Sequence, residues 1–271
     1  MSGDAAESAP QARVKRAAVI GHPVSHSRSP ALFARFAASS GVALLYEAVD
    51  VLPADLEATL AAWRADSDFV GCNVTLPHKA RALALADRVE DAARACGAAN
   101  VLTHASFGFI AANTDVEGVE AALAQHGVAL RGARVLVLGN GGAARAVAEA
   151  ARRNGAARIV IAGRDRARAA TVAADFGAEA AAFGDDLPVA DVYVNATPVG
   201  MVGQAQYSVL PANAPAGAAA FDLVYTPEET PFLIDARARG LRAVPGTAMF
   251  LAQAVATFER WFGFAPKEAV V

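Results

Sequence analysis

Cysteine is scarce: the 271-residue chain contains only Cys72 and Cys96. Two thiols cannot make a disulfide framework, so reduced thiols in a cytoplasm-like compartment are the simplest reading. An excess of one charge is also lacking. The 24 basic and 27 acidic side chains leave a net charge of -3, which supplies no broad field for nucleic acid or an anionic membrane surface. Long apolar runs are missing too. Mean hydropathy is +0.31, but 70 of the residues are alanine. No window offers the ~20 strongly apolar residues that a bilayer span requires. The five histidines share no ligand spacing with each other or with the cysteines, so no metal site is expected. Residues 1–13 have no apolar h-region and read as a loose leader rather than a secretion signal.

What the chain does have is core-forming material. Hydrophobic residues make up 55% and charged residues 19%, too apolar for disorder and ample for one large domain or two modest ones. Short apolar runs predict strands at residues 14–21, 44–51, 69–76, 100–105 and 107–114, with helices over 30–40, 53–65 and 78–96. After a helix at 115–127, strands follow at 133–139, 158–163, 179–183, 191–197, 219–225 and 241–245. The chain closes on an apolar helix at 248–262. Strands written as unbroken apolar runs and separated by helices indicate a parallel sheet covered on both faces. The expected fold is α/β with a boundary near Asn113–Asp115.

The strand at 133–139 ends in Gly139-Asn140-Gly141-Gly142-Ala143-Ala144, a G-x-G-x-x-A loop that opens a helix. That context marks a dinucleotide site. One glycine makes the turn, the next admits a pyrophosphate, and the helix N-terminus offers free N–H groups. A site for NAD would want a carboxylate at the end of the next strand, to bind the ribose 2′-hydroxyl. Here that strand ends Gly163-Arg164-Asp165. Arg164, with Arg168 as helper, suits a 2′-phosphate and so favours NADP. Asp165 either caps the next helix or serves a 2′-hydroxyl, which keeps NAD possible.

Three polar clusters stand at strand ends: residues 25–29 (SHSRS), 73–79 (NVTLPHK) and 113–115 (NTD). Loops at strand ends are where α/β proteins place ligands. Neutral hydrogen-bonding groups with one lysine and one carboxylate suit a small polyhydroxylated acid. Simpler roles exist for each residue: Ser29 as a helix cap, Asp115 as a cap of the helix at 116–125, Asn73 and Thr75 as turn formers, Tyr225 as core. His78 reads as structural and Cys72 as a buried filler.

HSRSP, NVTLPHK, GAAN, NTD, GNGGAA, NAT, DLVY and a late glutamine helix occur here in the order found in shikimate dehydrogenases. The chain resembles that family over about residues 16–264. The resemblance implies a mixed-sheet substrate domain at 14–114, completed by 247–271, and a Rossmann-type, doubly wound NADP-binding domain at 115–246. The C-terminal helix would return to the first domain. It also implies reduction of 3-dehydroshikimate to shikimate with NADP(H), in the route through chorismate to aromatic amino acids. Lys79 and Asp115 match the catalytic pair. Ser27 and Ser29 would take the substrate carboxylate. Asn73, Thr75, Lys79, Asn100, Asp115, Tyr225 and Gln253 would surround the ring. Gly139, Asn140, Gly141, Gly142, Ala143, Arg164, Asp165 and Arg168 would hold the nucleotide, with Thr197, Leu223 and Gly246 on the nicotinamide side. The implied protein is a cytoplasmic monomer or homodimer acting on a small molecule.

The motifs depart from the family's pattern in places. Val101 lacks a usual hydroxyl, Val116-Glu117 precede Gly118, Pro198 replaces a frequent serine, and Gly163-Arg164-Asp165 replaces Asn-Arg-Thr. Other readings are a quinate/shikimate dehydrogenase using NAD or both cofactors, a silent NADP-sensing protein, and a methylene-tetrahydrofolate-type dehydrogenase. The Lys79–Asp115 pair argues against the silent protein, and the serine pair against the last.

Overall fold

The computed structural model describes residues 13–268, so most of the expected leader lies outside the described residues. The chain opens with β1 (Lys15–Gly21), α1 (Ser29–Ser40), β2 (Leu44–Asp50), α2 (Leu56–Arg64) and β3 (Phe69–Val74). It continues through α3 (Lys79–Leu85), β4 (Arg88–Val89), α4 (Asp91–Cys96), β5 (Val101–Ala105) and β6 (Gly108–Ala112). These strands form one mixed sheet in the order β2-β1-β3-β5-β6-β4. β1 runs parallel to β2 and β3, whereas β5 is antiparallel to both β3 and β6.

After α5 (Thr114–Gln125) comes a second sheet. Its elements are β7 (Arg134–Leu138), α6 (Gly142–Arg153), β8 (Arg158–Gly163), α7 (Arg166–Asp175) and β9 (Glu179–Ala182), followed by β10 (Val192–Asn195), β11 (Ala219–Asp222), α8 (Pro231–Ala238) and β12 (Arg242–Val244). The order β12-β11-β10-β7-β8-β9 is parallel throughout. The strand order reverses between β7 and β10. Such a switch point opens a crevice beyond the strands' carboxyl ends, and the glycine loop leaves β7 there. Val135, Val137, Ile159 and Ile161 pack one face and Leu136, Val160 and Tyr193 the other, as a doubly covered parallel sheet requires.

The final helix, α9 (Gly246–Phe262), starts beside the second sheet and returns to the first. It packs along α5 and against α1, β3 and β5. Its Phe258 is fully buried against Phe33 and Phe36, at ring-centroid distances of 6.5 and 5.7 Å. Truncating such an aromatic costs about 3–5 kcal/mol, enough to hold the helix in place.

The continuous helix expected over 78–96 is broken in the structure. Ala86 turns extended, at φ -79° and ψ 146°, and ends α3. The Asp87 N–H then donates to the Phe109 carbonyl at 2.9 Å, and the Asp87 carboxylate accepts the Phe109 N–H at 2.7 Å. That pairing adds β4 beside β6. Alanine's helix propensity is a weak prior, and tertiary pairing overrides it here. At the other end, α9 begins two residues earlier than expected, at Gly246.

Candidate active site

All nine candidate substrate residues border one cavity of about 240 Å³. The loops after β1 and β3 form one side, and α9 with the loops after β7 and β11 forms the other. The size is below the ~300–1,000 Å³ of drug-sized pockets and suits a single-ring metabolite.

Lys79 is the first residue of α3, with its carbonyl held by the Ala99 N–H at 2.9 Å. Asp115 lies in the first turn of α5, where Asn113 occupies the cap position and accepts the Asp115 N–H at 3.2 Å. Asp115 is therefore not the cap, and its carboxylate is left for the cavity. Lys79 Nζ donates to Asp115 Oδ2 at 2.6 Å. Their side chains are 23% and 15% exposed, so each is screened from bulk water yet reachable from the cavity.

Behind this pair runs a buried hydrogen-bonded chain. Asn100 Nδ2 gives one hydrogen to Asp115 Oδ1 at 2.8 Å and the other to Thr114 Oγ1 at 3.0 Å, while its Oδ1 accepts the Thr114 N–H at 2.7 Å. Thr257, on α9, donates to the Gln253 carbonyl at 2.9 Å. The Thr257 oxygen therefore acts as acceptor, from Thr114 Oγ1 at 3.2 Å and Asn73 Nδ2 at 3.3 Å. Asn73 Oδ1 takes the Tyr46 hydroxyl at 2.8 Å. Burial pushes the Tyr46 phenol pKa well up, which keeps it neutral. Hydrogen bonds thus run without a break from Tyr46 to Lys79.

The other candidates are less committed. Ser27 Oγ accepts the Ser29 N–H at 3.3 Å, which leaves the Ser27 hydrogen for the cavity. Ser29 is not the cap of α1. Arg28 holds that position without a side-chain bond, and Ser29 sits inside the first turn, buried. Gln253 spends one amide hydrogen on the Phe250 carbonyl at 2.9 Å. Tyr225 stacks on Phe250 at 4.7 Å and 16°. Burial raises the Tyr225 pKa, with Arg28 and Lys79 pulling it back. His78 is buried, bonded to the Val51 carbonyl at 2.7 Å, and Cys72 is fully buried.

At the glycine loop, Gly139 has φ +123°, and a Cβ there would stand 2.7 Å from the Ala196 carbonyl oxygen. Only glycine meets both demands. Around Gly141 and Gly142 the space is open. The helix's first backward bond runs from the Arg145 N–H to Gly141, so the N–H groups of Gly142, Ala143 and Ala144 precede it unpaired within the helix. That is a donor set for phosphate oxygens. A side chain at Gly163 would meet Asn140 Nδ2 at 2.8 Å, which accounts for the missing carboxylate at the end of β8. Asp165 caps α7, its Oδ1 accepting from Ala167 N at 2.9 Å and Arg168 N at 3.2 Å. Arg164, Arg166 and Arg168 are exposed, and none has an ion-pair partner among the described residues. Unpaired guanidinium groups beside an open helix N-terminus fit a nucleotide carrying a 2′-phosphate.

The nicotinamide-side candidates rest on one buried carboxylate. Asp222 accepts from Thr230 Oγ1 at 2.5 Å, Asn195 Nδ2 at 2.9 Å and Val224 N at 3.0 Å. Asn195 in turn accepts Thr197 Oγ1 at 2.6 Å. Gly246 lies so close that a Cβ would be 2.4 Å from the Val224 oxygen. Burial raises the Asp222 pKa to about 6. Leu223 and Gly246 border the cavity, and Thr197 does not.

Sequence reasoning missed Tyr46, Thr114, Thr257, Phe250 and Asp222. Tyr46 and Asp222 left a trace, as polar residues inside apolar strands, where an unbonded polar group is costly. The threonines left none, since Thr114 reads as part of the NTD turn and Thr257 as a minor break in an apolar helix.

Comparison with known proteins bears on the same cavity. Residues 19–102 match the model of the shikimate dehydrogenase substrate binding domain, and residues 120–199 match that of shikimate / quinate 5-dehydrogenase. The shikimate dehydrogenase (NADP(+)) of Acidiphilium cryptum is 44% identical over 257 residues, covering 92% of this chain and 91% of that one. That of Methylobacterium radiotolerans is 45% identical, covering 93% of each. The crystal structure of shikimate 5-dehydrogenase from Thermus thermophilus, in complex with NADP(H) and shikimate, superimposes with a TM-score of 0.85 at 39% identity, covering 94% of this chain and 95% of that one.

Proposed function

The chain belongs to the shikimate dehydrogenase family, and from that membership we infer that Lys79 and Asp115 are its catalytic pair and that the cavity receives the substrate ring. The enzyme is an NADP-dependent oxidoreductase that interconverts 3-dehydroshikimate and shikimate, in the pathway that leads to the aromatic amino acids. The observation that carries the catalytic assignment is the 2.6 Å Lys79–Asp115 contact inside a cavity bordered by both the polar strand-end loops and the glycine loop.

When bound, the nicotinamide would supply or receive the hydride. In the reductive direction, charge builds on the carbonyl oxygen. The Lys79 ammonium stabilises that charge and gives up a proton as the alkoxide forms. Asp115 Oδ2 keeps the ammonium in place, and Asn100 keeps the carboxylate in place through Oδ1. In the oxidative direction Lys79 Nζ accepts the hydroxyl proton. Ser27 and Ser29 take the carboxylate. Thr75, Asn73, Gln253 and Tyr225 face the ring hydroxyls, with Asn100 and Asp115.

For the cofactor, Gly139 through Ala143 would hold the pyrophosphate against α6, Arg164 and Arg168 the 2′-phosphate, and Thr197, Leu223 and Gly246 the nicotinamide side. Asp165 spends its carboxylate on α7, which weakens its case as a 2′-hydroxyl ligand. Residues 14–114 with 247–271 make the substrate domain, of which 269–271 lie outside the described residues, and 115–246 the cofactor domain. No helix among the described residues is long and apolar enough to cross a membrane. We read the enzyme as cytoplasmic, a monomer or homodimer, with no nucleic-acid role.

The test is an absorbance assay. Purified protein given shikimate and NADP should form NADPH, with NAD far weaker. No turnover of shikimate with either cofactor would overturn the reading.

A further inference from the structure

The cavity binds an acid in the proposed function, yet its own charges cancel. Lys79 is engaged by Asp115 at 2.6 Å, so the pair presents no net positive charge to an entering carboxylate. The groups already identified for the carboxylate are neutral hydroxyls: Ser27, whose Oγ accepts the Ser29 N–H and keeps its own hydrogen, and Ser29. A carboxylate stripped of water needs charge or several donors.

Arg28 stands between the two serines and is exposed. Its side chain does not cap α1. Its guanidinium carbon lies 5.9 Å from the centroid of Phe250, whose ring borders the cavity. Tyr225 stacks on that ring at 4.7 Å. Arg28 is also near enough to the Tyr225 hydroxyl to act on it electrostatically, as Lys79 and Asp115 do. No carboxylate among the described residues pairs with Arg28. A cation without a carboxylate partner is therefore held over an aromatic platform that borders the cavity. Cation–π contact of this kind fixes a guanidinium without consuming its hydrogen-bond donors.

We propose that Arg28 is a specificity-determining residue that selects anionic substrates, offering the positive potential that the Lys79–Asp115 pair withholds. This rests on the reading of the cavity as the shikimate site. In the chain Arg28 adjoins Ser27 and Ser29, the proposed carboxylate ligands, whereas Lys79 serves the reacting carbon. Arg28 should act on recruitment and binding of the acid, with the chemical step carried elsewhere.

The experiment compares shikimate with its uncharged methyl ester in wild type, Arg28→Ala, Arg28→Lys and Arg28→Glu, across a range of ionic strength. In Arg28→Ala the KM for shikimate should rise about 10- to 30-fold, an ordinary size for a local field effect. The ester's kinetics should stay near wild type, and the salt dependence of kcat/KM for the acid should flatten. Arg28→Lys should recover most of the loss, and Arg28→Glu should deepen it. Equal losses for acid and ester would reduce Arg28 to a packing role on Phe250, and an unchanged acid-to-ester ratio would overturn the proposal alone. A wild-type enzyme idle on shikimate would fail the functional reading itself and the proposal with it.

Discussion

Asn100 Nδ2 donates to Asp115 Oδ1 at 2.8 Å, the carboxylate oxygen that Lys79 leaves open. Each oxygen of Asp115 thus has its own donor, and the carboxylate plane is fixed from two sides. The arrangement separates two jobs. In the proposed mechanism Lys79 moves the proton, and the Asn100–Asp115 contact decides where Lys79 stands when it does.

Lys79→Ala should therefore lower kcat by about 100-fold or more, the low end of what a positioned acid–base group supplies. KM for shikimate should change much less, because the serines and ring-hydroxyl ligands are untouched. Steady-state kinetics with NADP saturating checks this. A kcat near wild type would remove Lys79 from the mechanism.

Thr257 makes a test of the buried chain. Its oxygen accepts from Thr114 and Asn73 while its hydrogen goes to Gln253. Valine has the same shape but strands both donors, and a stranded buried donor costs about 1–3 kcal/mol. Thr257→Val should lose about 2 kcal/mol or more in denaturant unfolding, and kcat should fall several-fold as Asn100 and Asp115 loosen. Thr257→Ser should restore both. A valine variant as stable and as active as wild type would show that the chain does not steady the catalytic pair.

Much of this site was legible in the sequence because its signals are local. The glycine loop directly follows an apolar strand, and the serine, NVTLPHK and NTD clusters each fall at a strand end. What stayed hidden depends on distant pairing. Asn73 and Thr257 meet across 184 positions, and no periodicity marks a threonine in an apolar helix as their junction. The break between α3 and α4 escaped for a similar reason. Alanine-rich sequence reads as helix throughout, and only the contact of Asp87 with Phe109 turns the chain aside. Asp165 shows the opposite case, where a local capping rule was available and the structure uses it.

Cofactor choice can be read from Arg164. It is exposed, without an ion-pair partner among the described residues, and it follows a strand that ends in glycine. Removing the guanidinium should weaken NADP without touching a cofactor that lacks the 2′-phosphate. Arg164→Ala should raise KM for NADP about tenfold or more, in the range of a lost charge-assisted bond, and leave the weak use of NAD nearly constant. Fluorescence titration with both cofactors measures the ratio. Equal weakening of the two would overturn the assignment.

Asp222 carries a pH signature of unusual sign. Burial raises its pKa from the ordinary 3.8 to about 6 although three donors oppose the shift. The folded state thus holds a proton that the unfolded chain has already released. Between about pH 4 and 6, the native chain binds more protons, so stability falls as pH rises through that window and levels off above it. The stabilisation is fully present below pH 3.8 and gone above about 6. Its size is about 3 kcal/mol, from roughly two pK units at 1.36 kcal/mol each. Asp222→Asn mimics the protonated form, since the amide can donate to Thr230 Oγ1 and still accept from Asn195. Thermal melts of the two proteins from pH 4 to 8 should diverge between about pH 4 and 6 and run parallel above that, wild type losing Tm relative to the variant as pH rises. Most other carboxylates with shifted values here, such as Asp87 and Asp191, are held low by partners and act at more acidic pH. They affect both proteins alike and drop out of the difference. A Tm difference that stays flat across pH 4–8 would mean that Asp222 is ionised throughout, held by Thr230, Asn195 and the Val224 amide alone.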